Sequence, residues 1–362
     1  MNWNEYEEKY IRLAKIKGKS DNYCINQLEY AKKLFDKDLP IIYSQEHLCL
    51  LVGYSKEYVY AISNSPVKFY RTFKILKKNG KERTINEPLP SLKEIQEWIL
   101  KEILEKIKVS PYSKAYVKGR SIRDNARFHK RQKKVLTMDL QDFFPSITFG
   151  RVLSVFRKAG YRENVAVMLA NLCSLQNQLP QGAPTSPALS NIIASKLDYK
   201  ISNFINGKEI RYTRYADDLT FSGDFKEGDI IKNIERIVNR QGFRINHNKT
   251  RVRKKNQRQE VTGIVVNDKM QISRDIRRRI RSDAYYIKKY GYMSHANYVK
   301  QKKNNYLYYL IGITSYALFV NPNDDKMREY LAVFKSELFR YKNGDLAINT
   351  NPREYPKVCV NL

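Results

Sequence analysis

Apolar residues recur at helical spacing from Leu92 to Ile107, with Leu92, Ile95, Ile99, Leu100, Ile103, Leu104 and Ile107 on one face, which predicts a helix over that stretch. A spacing of four links Leu189, Ile193, Leu197 and Ile201 behind Ser186-Pro187, a serine cap followed by a proline suited to the first helical position. More helices are predicted over residues 1 to about 60, where Ser44 is a cap candidate, near Ile230 to Gln241, and through the last hundred or so residues. Between Tyr70 and Ile85 the period changes to alternation, and Asn79-Gly80 marks a hairpin that Pro88 and Pro90 close. Strands are predicted at Val135 to Leu140, on both sides of Ala216-Asp217, and at Val261 to Val266, while Ser113 to His129 reads as a basic loop. Strands and helices mix without strict βαβ alternation, so the expected class is α+β. There is no internal repeat.

Charge changes the picture. Among 362 residues, 67 are Lys or Arg against 37 Asp or Glu, a formal net charge of +30. Such an excess favours a polyanionic partner, and many tyrosines interleaved with the cations suit stacking on bases. A generally basic soluble protein, or one drawn to anionic membranes, is the competing reading. The apolar stretch from Tyr306 to Val320 carries Gly312, Thr314 and Ser315 and is too short to span a bilayer comfortably, so it reads as a buried helix. Cys24, Cys49, Cys173 and Cys359 are scattered, with no C-x-x-C pair, which argues against a disulfide framework or a zinc site and fits a reducing cytoplasm. The N-terminus does not read as a signal peptide.

The candidate chemistry lies in the carboxylates. Asp217 and Asp218 sit at the tip of the hairpin Arg211 to Ser222, and Asp139 stands at the end of an upstream strand. If those strands are neighbours, three carboxylates meet, and the cluster repels itself unless cations neutralise it, which predicts bound Mg²⁺. Two divalent ions on shared carboxylates serve in-line phosphoryl transfer. An Asp-Asp pair in a turn is by itself usually only a turn, so the inference rests on the combination. Together with the charge it implies a nucleic-acid polymerase.

Asp139 lies in Met138-Asp-Leu-Gln-Asp-Phe-Phe-Pro-Ser146, and Leu179-Pro-Gln-Gly-Ala-Pro-Thr-Ser-Pro187 stands between the two acid sites. With Tyr215-Ala-Asp-Asp218, these blocks resemble the palm motifs of reverse transcriptases, in order, over roughly residues 40 to 320. Asn125-Ala-Arg-Phe-His129 and Val261-Thr262-Gly263 resemble the N-A-x-x-H and V-T-G elements of bacterial retron reverse transcriptases.

The resemblance implies a right-hand polymerase: a helical N-terminal region over 1–60, fingers over 61–133, a palm over 134–268 with an interleaved fingers segment at about 150–185, and a basic helical thumb and tail over 269–362. It implies that Asp139, Asp217 and Asp218 hold two Mg²⁺ ions with help from the Leu140 carbonyl, whereas Asp142 is expected to be structural. Arg83, Gln181, Gly182 and Lys249 match nucleotide-contacting positions, with Lys249 near the leaving pyrophosphate. Phe144 matches the ring beneath the incoming sugar, and Phe143 reads as core, because neighbouring strand residues face opposite ways. Asn125, His129, Val261, Thr262 and Gly263 are candidate RNA contacts. So are Arg274, Arg277, Arg278 and Arg281, which share one helix face.

The implied activity is synthesis of DNA from dNTPs on part of a cognate noncoding RNA. The implied start is a guanosine 2′-hydroxyl, giving branched RNA–DNA (msDNA), in the cytoplasm and away from membranes. The family implies antiphage defence with a separate effector protein. No ribonuclease H constellation follows the palm, so template removal falls to a host ribonuclease H. Rival readings are a group II intron-like or diversity-generating reverse transcriptase, an RNA-dependent RNA polymerase (against which Phe144 speaks), and a catalytically silent RNA-binding protein.

Overall fold

The computed structural model describes residues 2–76, 80, 82–299 and 305–343. Four helices open the chain: α1 (Trp3–Ile16), α2 (Asp21–Phe35), α3 (Gln45–Val52) and α4 (Lys56–Asn64). The expected cap at Ser44 forms, its hydroxyl accepting from the His47 amide, and Gly53 ends α3 in the left-handed region at φ 77°. Strands β1 (Tyr70–Leu76) and β2 (Glu82–Pro88) pair antiparallel with Phe73 opposite Ile85. Asn79 lies outside the described residues.

Helix α5 (Pro90–Glu102) begins on a proline at its first turn, where a missing amide costs nothing. The periodicity suggests a helix continuing to Ile107. Instead the chain breaks at Ile103 and re-forms as a single 3₁₀ turn, Leu104–Lys106, which still buries Ile103 and Leu104. Apolar spacing reports which residues face inward, and a tightened turn preserves that without an intact helix. The supposed loop from Ser113 contains α6 (Ile122–Phe128), started by a capping box in which Ser121 and Asp124 satisfy each other's backbone amides.

Next come β3 (Lys134–Leu140), α7 (Phe149–Ala159), α8 (Glu163–Cys173) and α9 (Thr185–Ile205). α9 starts earlier than the Ser186-Pro187 reading placed it; Ser186 lies within the first turn, where its hydroxyl donates to the Pro180 carbonyl. The acid hairpin is β4 (Ile210–Tyr215) and β5 (Asp218–Gly223), followed by α10 (Glu227–Arg240) and β6 (Ile245–Lys254). These strands form one sheet in the order β4-β5-β3-β6, which makes β3 and the hairpin strand β5 neighbours, as the carboxylate argument required. The segment Val261 to Val266 is not one strand. It is a miniature hairpin, β7 (Glu260–Val261) against β8 (Ile264–Val265), turned by Thr262 at φ 46° and Gly263 at φ 82°.

Helices α11 (Arg274–Tyr290), α12 (Tyr292–Tyr298), α13 (Tyr306–Val320) and α14 (Asp325–Lys342) complete the described chain. α13 forms over the apolar stretch but is only partly the buried helix expected: Tyr306, Leu307, Leu310, Thr314, Ala317 and Val320 face inward, while Tyr308, Tyr309 and Phe319 are exposed. No helix among the described residues is long and apolar enough to cross a membrane. Cys24, Cys49 and Cys173 are buried thiols; Cys359 and the tail beyond Asn343 lie outside the described residues.

Two compact units result. The first comprises 1–120, 137–220 and 225–251; the second comprises 121–136, 221–224 and 252–362. The second has its own apolar core, with Ile280, Ile287, Leu310 and Phe334 among its most buried members.

Candidate active site

A backbone bond closes the site. The Leu140 amide donates to the Asp217 carbonyl at 2.9 Å, which ties the end of β3 to the turn between β4 and β5. Ala216 occupies that turn at φ 57°, a conformation that costs a non-glycine residue energy and is held by its surroundings. The aspartates distant in sequence are thus drawn together. Burial first, then the charges of Asp217 and Asp139, push the Asp218 pKa up to about 7. The Asp217 pKa is raised too, by burial and then by Asp139, while Lys249 and Arg83 oppose the shift. Asp139 is 6% exposed.

Lys249 donates to Asp139 Oδ2 at 2.8 Å and Asn246 donates to Oδ1 at 3.3 Å. The hydrogen bond to Asp139 raises the Lys249 pKa, so the ammonium stays charged. Among the described residues no group of three or more His, Cys, Asp or Glu side chains stands arranged to hold a metal ion. The donor chemistry nonetheless suits Mg²⁺: hard carboxylate oxygens, partly buried and mutually repelling.

The turn is held from behind by a network that the sequence reading missed. Arg214 and Asp198 are fully buried and paired through two bonds of 2.8 Å, and the Tyr212 hydroxyl donates to the same carboxylate. Arg214 Nη1 also donates to Asn191 Oδ1 at 3.0 Å and to the Ala216 carbonyl at 3.1 Å. Burial opposes the guanidinium charge, the Asp198 carboxylate more than offsets it, and the Arg214 pKa is raised. Asn191 reaches onward to the Ala115 carbonyl, which orders the stretch leading to Tyr116. The available signal was an arginine between apolar neighbours in a strand and an aspartate on the apolar side of α9; such charges are buried only when paired.

Of the nucleotide-contact candidates, Arg83 is exposed on β2 and near enough to Asp217 to lower its pKa. Phe143 is 4% exposed and packs on Phe243 at 5.6 Å between ring centroids, while Phe144, 5.5 Å from Phe143, is only half-buried. This is the division of burial expected, but not for the reason given. β3 ends at Leu140, and both rings lie in a helical turn in which the Ile147 amide donates to the Phe144 carbonyl. Asp142 starts that turn at φ 46°, its carbonyl accepting from the Ser146 amide. Gly182, at φ 127°, serves a close approach: a Cβ there would stand 2.7 Å from the Asn86 carbonyl oxygen. Next to it the Asn86 amide donates to the Gln181 carbonyl at 2.7 Å.

In the second unit the two short motifs meet. Asn125 donates to Thr262 Oγ1 at 3.4 Å, and His129 Nδ1 lies 2.7 Å from Ser222 Oγ. Asn125, His129 and Val261 are fully buried, which corrects their reading as RNA contacts: side chains without accessible surface act from beneath. The Thr262-Gly263 turn keeps exposure. Arg274, Arg277, Arg278 and Arg281 together line a cavity of about 530 Å³, where Arg277 is ion-paired with Asp324.

Known proteins share this pattern. Residues 75–273 match the family described as reverse transcriptase (RNA-dependent DNA polymerase). The retron Ec86 reverse transcriptase of Escherichia coli is 38% identical over 226 residues, covering 60% of this chain and 70% of that protein. The retron Mx65 reverse transcriptase of Myxococcus xanthus is 33% identical over 310 residues, covering 78% and 70%. The retron Mx162 reverse transcriptase of the same organism is 35% identical over 256 residues, covering 61% and 53%. An α+β scaffold with an aspartate hairpin against a third aspartate therefore belongs to an RNA-directed DNA polymerase that takes an RNA template, and the chain is a member of the bacterial retron reverse transcriptases.

Proposed function

We propose that this enzyme copies part of its own structured noncoding RNA into single-stranded DNA from a guanosine 2′-hydroxyl, leaving the DNA branched from the RNA. The observation that carries the polymerase chemistry is the Leu140–Asp217 backbone bond, which gathers Asp139, Asp217 and Asp218. Asp139, Asp217 and Asp218, with the Leu140 carbonyl, would hold two Mg²⁺ ions. Bound there, the metal lowers the pKa of the primer hydroxyl and steadies the leaving pyrophosphate. For Asp139 to serve, Lys249 must leave its carboxylate, which places a charged ammonium beside the site as a proton donor for the pyrophosphate.

Arg83 offers a fixed fork of donors to the triphosphate. Gln181 and Gly182 shape the pocket wall that is pinned to β2 through Asn86. Phe144 excludes a 2′-hydroxyl on the incoming sugar. The exposed Thr262-Gly263 turn and the arginines of α11 supply RNA contacts. Within this reading the fingers take 61–133, the palm 134–268 and the thumb and tail 269–362. The wider role is antiphage defence in the cytoplasm with a separate effector protein, host ribonuclease H removing the template.

Sequencing the nucleic acid that copurifies with the protein tests this reading. A branched RNA–DNA molecule is expected, and an Asp217→Asn variant should carry RNA alone. Only unrelated RNA fragments with the active enzyme, or full DNA synthesis by Asp217→Asn, would overturn it.

A further inference from the structure

In the first unit, helices α7, α9 and the end of α10 enclose a cleft of about 760 Å³ together with Lys37, Leu39 and residues 106–108. None of its lining residues belongs to the aspartate cluster or to the nucleotide-contact set above. The size falls in the ~300–1,000 Å³ range of binding pockets. Its lining contains no Asp or Glu, but it contains Lys108, Arg151, Lys158, Lys196 and Arg240, none of which forms an ion pair or side-chain hydrogen bond among the described residues.

Two more cations line the cleft and are engaged. Lys106 is shared between Asp38 and Glu102, and Lys37 donates to the Lys158 and Ala159 carbonyls. Ile107, Val155, Ile192 and Ile193 give an apolar wall. Ile193 belongs to the apolar row of α9, yet unlike Leu189, Leu197 and Ile201 it is not fully buried. Arg151 is half-buried with its guanidinium 4.3 Å from the Phe243 ring, and burial lowers its pKa with no carboxylate to offset it.

We propose that this cleft is a second nucleic-acid site, which holds the phosphate backbone of a single strand away from the site of polymerisation. Five unpaired cations exceed the charge of about −2 on one terminal phosphate, whereas a strand brings one negative charge per nucleotide. The lining holds no aromatic residue, so bases are not stacked or read, and recognition is by backbone and independent of sequence. A stretch of template or product lying here is kept from re-pairing while synthesis continues.

The test uses the full chain with its polymerisation site filled by a hairpin primer–template. A fluorescent oligothymidylate of about 12 nucleotides is then titrated across salt concentrations, for the native protein and for Lys158→Glu/Lys196→Glu/Arg240→Glu. These three side chains are exposed, so the fold should tolerate the change, and unaltered extension of the hairpin checks it. Arg151 is left intact because its stack on Phe243 continues through Phe143 to Phe144. The expected result is a loss of about tenfold or more in affinity near 0.1 M salt and a log–log salt slope shallower by about 2, at roughly 0.7 for each phosphate no longer neutralised. Equal affinity and slope in both proteins would overturn the proposal. So would ATP binding that the triple variant abolishes while oligothymidylate binding stays unchanged, since that outcome assigns the cleft to a free nucleotide.

Discussion

Replacing Arg214 by methionine strips one fully buried carboxylate of its charge partner. In the native protein Asp198 receives two bonds from the guanidinium and one from Tyr212, and the guanidinium also holds Asn191 and the Ala216 carbonyl. After the substitution only the Tyr212 hydroxyl remains for Asp198. Leaving one member of a buried pair uncompensated costs about 3–5 kcal/mol, which is roughly two to nearly four powers of ten in the folding equilibrium. Urea unfolding followed by fluorescence should show a midpoint lowered by about 1 M or more. An exposed control, Arg236→Met, should stay within about 0.5 kcal/mol of the native protein.

The double variant Arg214→Met/Asp198→Leu separates stability from function. Removing both leaves no uncompensated charge, so most of the stability should return, although the buried Tyr212 hydroxyl loses its bond to Asp198. The Ala216 carbonyl, however, still lacks its donor, and the left-handed turn that carries Asp217 and Asp218 is no longer anchored. Primer extension by the double variant should therefore stay at least about tenfold below native, in kcat and not in dNTP KM. A single variant as stable as Arg236→Met would refute the buried-pair argument, and a double variant with native kcat would refute the anchoring argument.

Three further outcomes are expected. The folded Asp218 pKa of about 7 lies above its ordinary 3.8, so the stability contributed by its protonated form is complete below about pH 4 and is lost as pH rises through 7. Metal-free Asp218→Asn should consequently be more stable than native protein at pH 8, by at most about 4 kcal/mol in urea unfolding, and the gain should vanish by pH 4; equal gains at both pH values would contradict this. Phe144→Ala should incorporate ribonucleotides, and unchanged discrimination between dNTP and rNTP in primer extension counts against a sugar gate. Gly182→Ala forces the Asn86 carbonyl away by several tenths of an ångström and should raise dNTP KM by about tenfold with the fold retained; a native KM would show that the close approach does not shape the pocket.

Legibility followed locality. α10, α13 and the aspartate hairpin announce themselves because periodicity and turn chemistry are written within a dozen or so residues. α6 was equally local, but its Ser121-x-x-Asp124 cap was hidden among basic residues that read as loop. The break at Ile103 left the apolar spacing intact, so nothing in the period revealed it. Arg214 and Asp198 are partners only because α9 packs behind β4, a pairing with no local signature. The same holds for Asn125 and Thr262, each of which looked like an isolated motif residue until the fold set them side by side.

Lys249 on Asp139 has a consequence for how the enzyme is stored. An ammonium already rests on a carboxylate that we propose holds magnesium, so the folded chain carries its own counterion there. Under that proposal loading is an exchange, one positive group stepping aside as another arrives, and until then the ammonium offsets part of the repulsion among the three acids. A polymerase built this way can be synthesised and wait in magnesium-poor surroundings without its catalytic strands being driven apart.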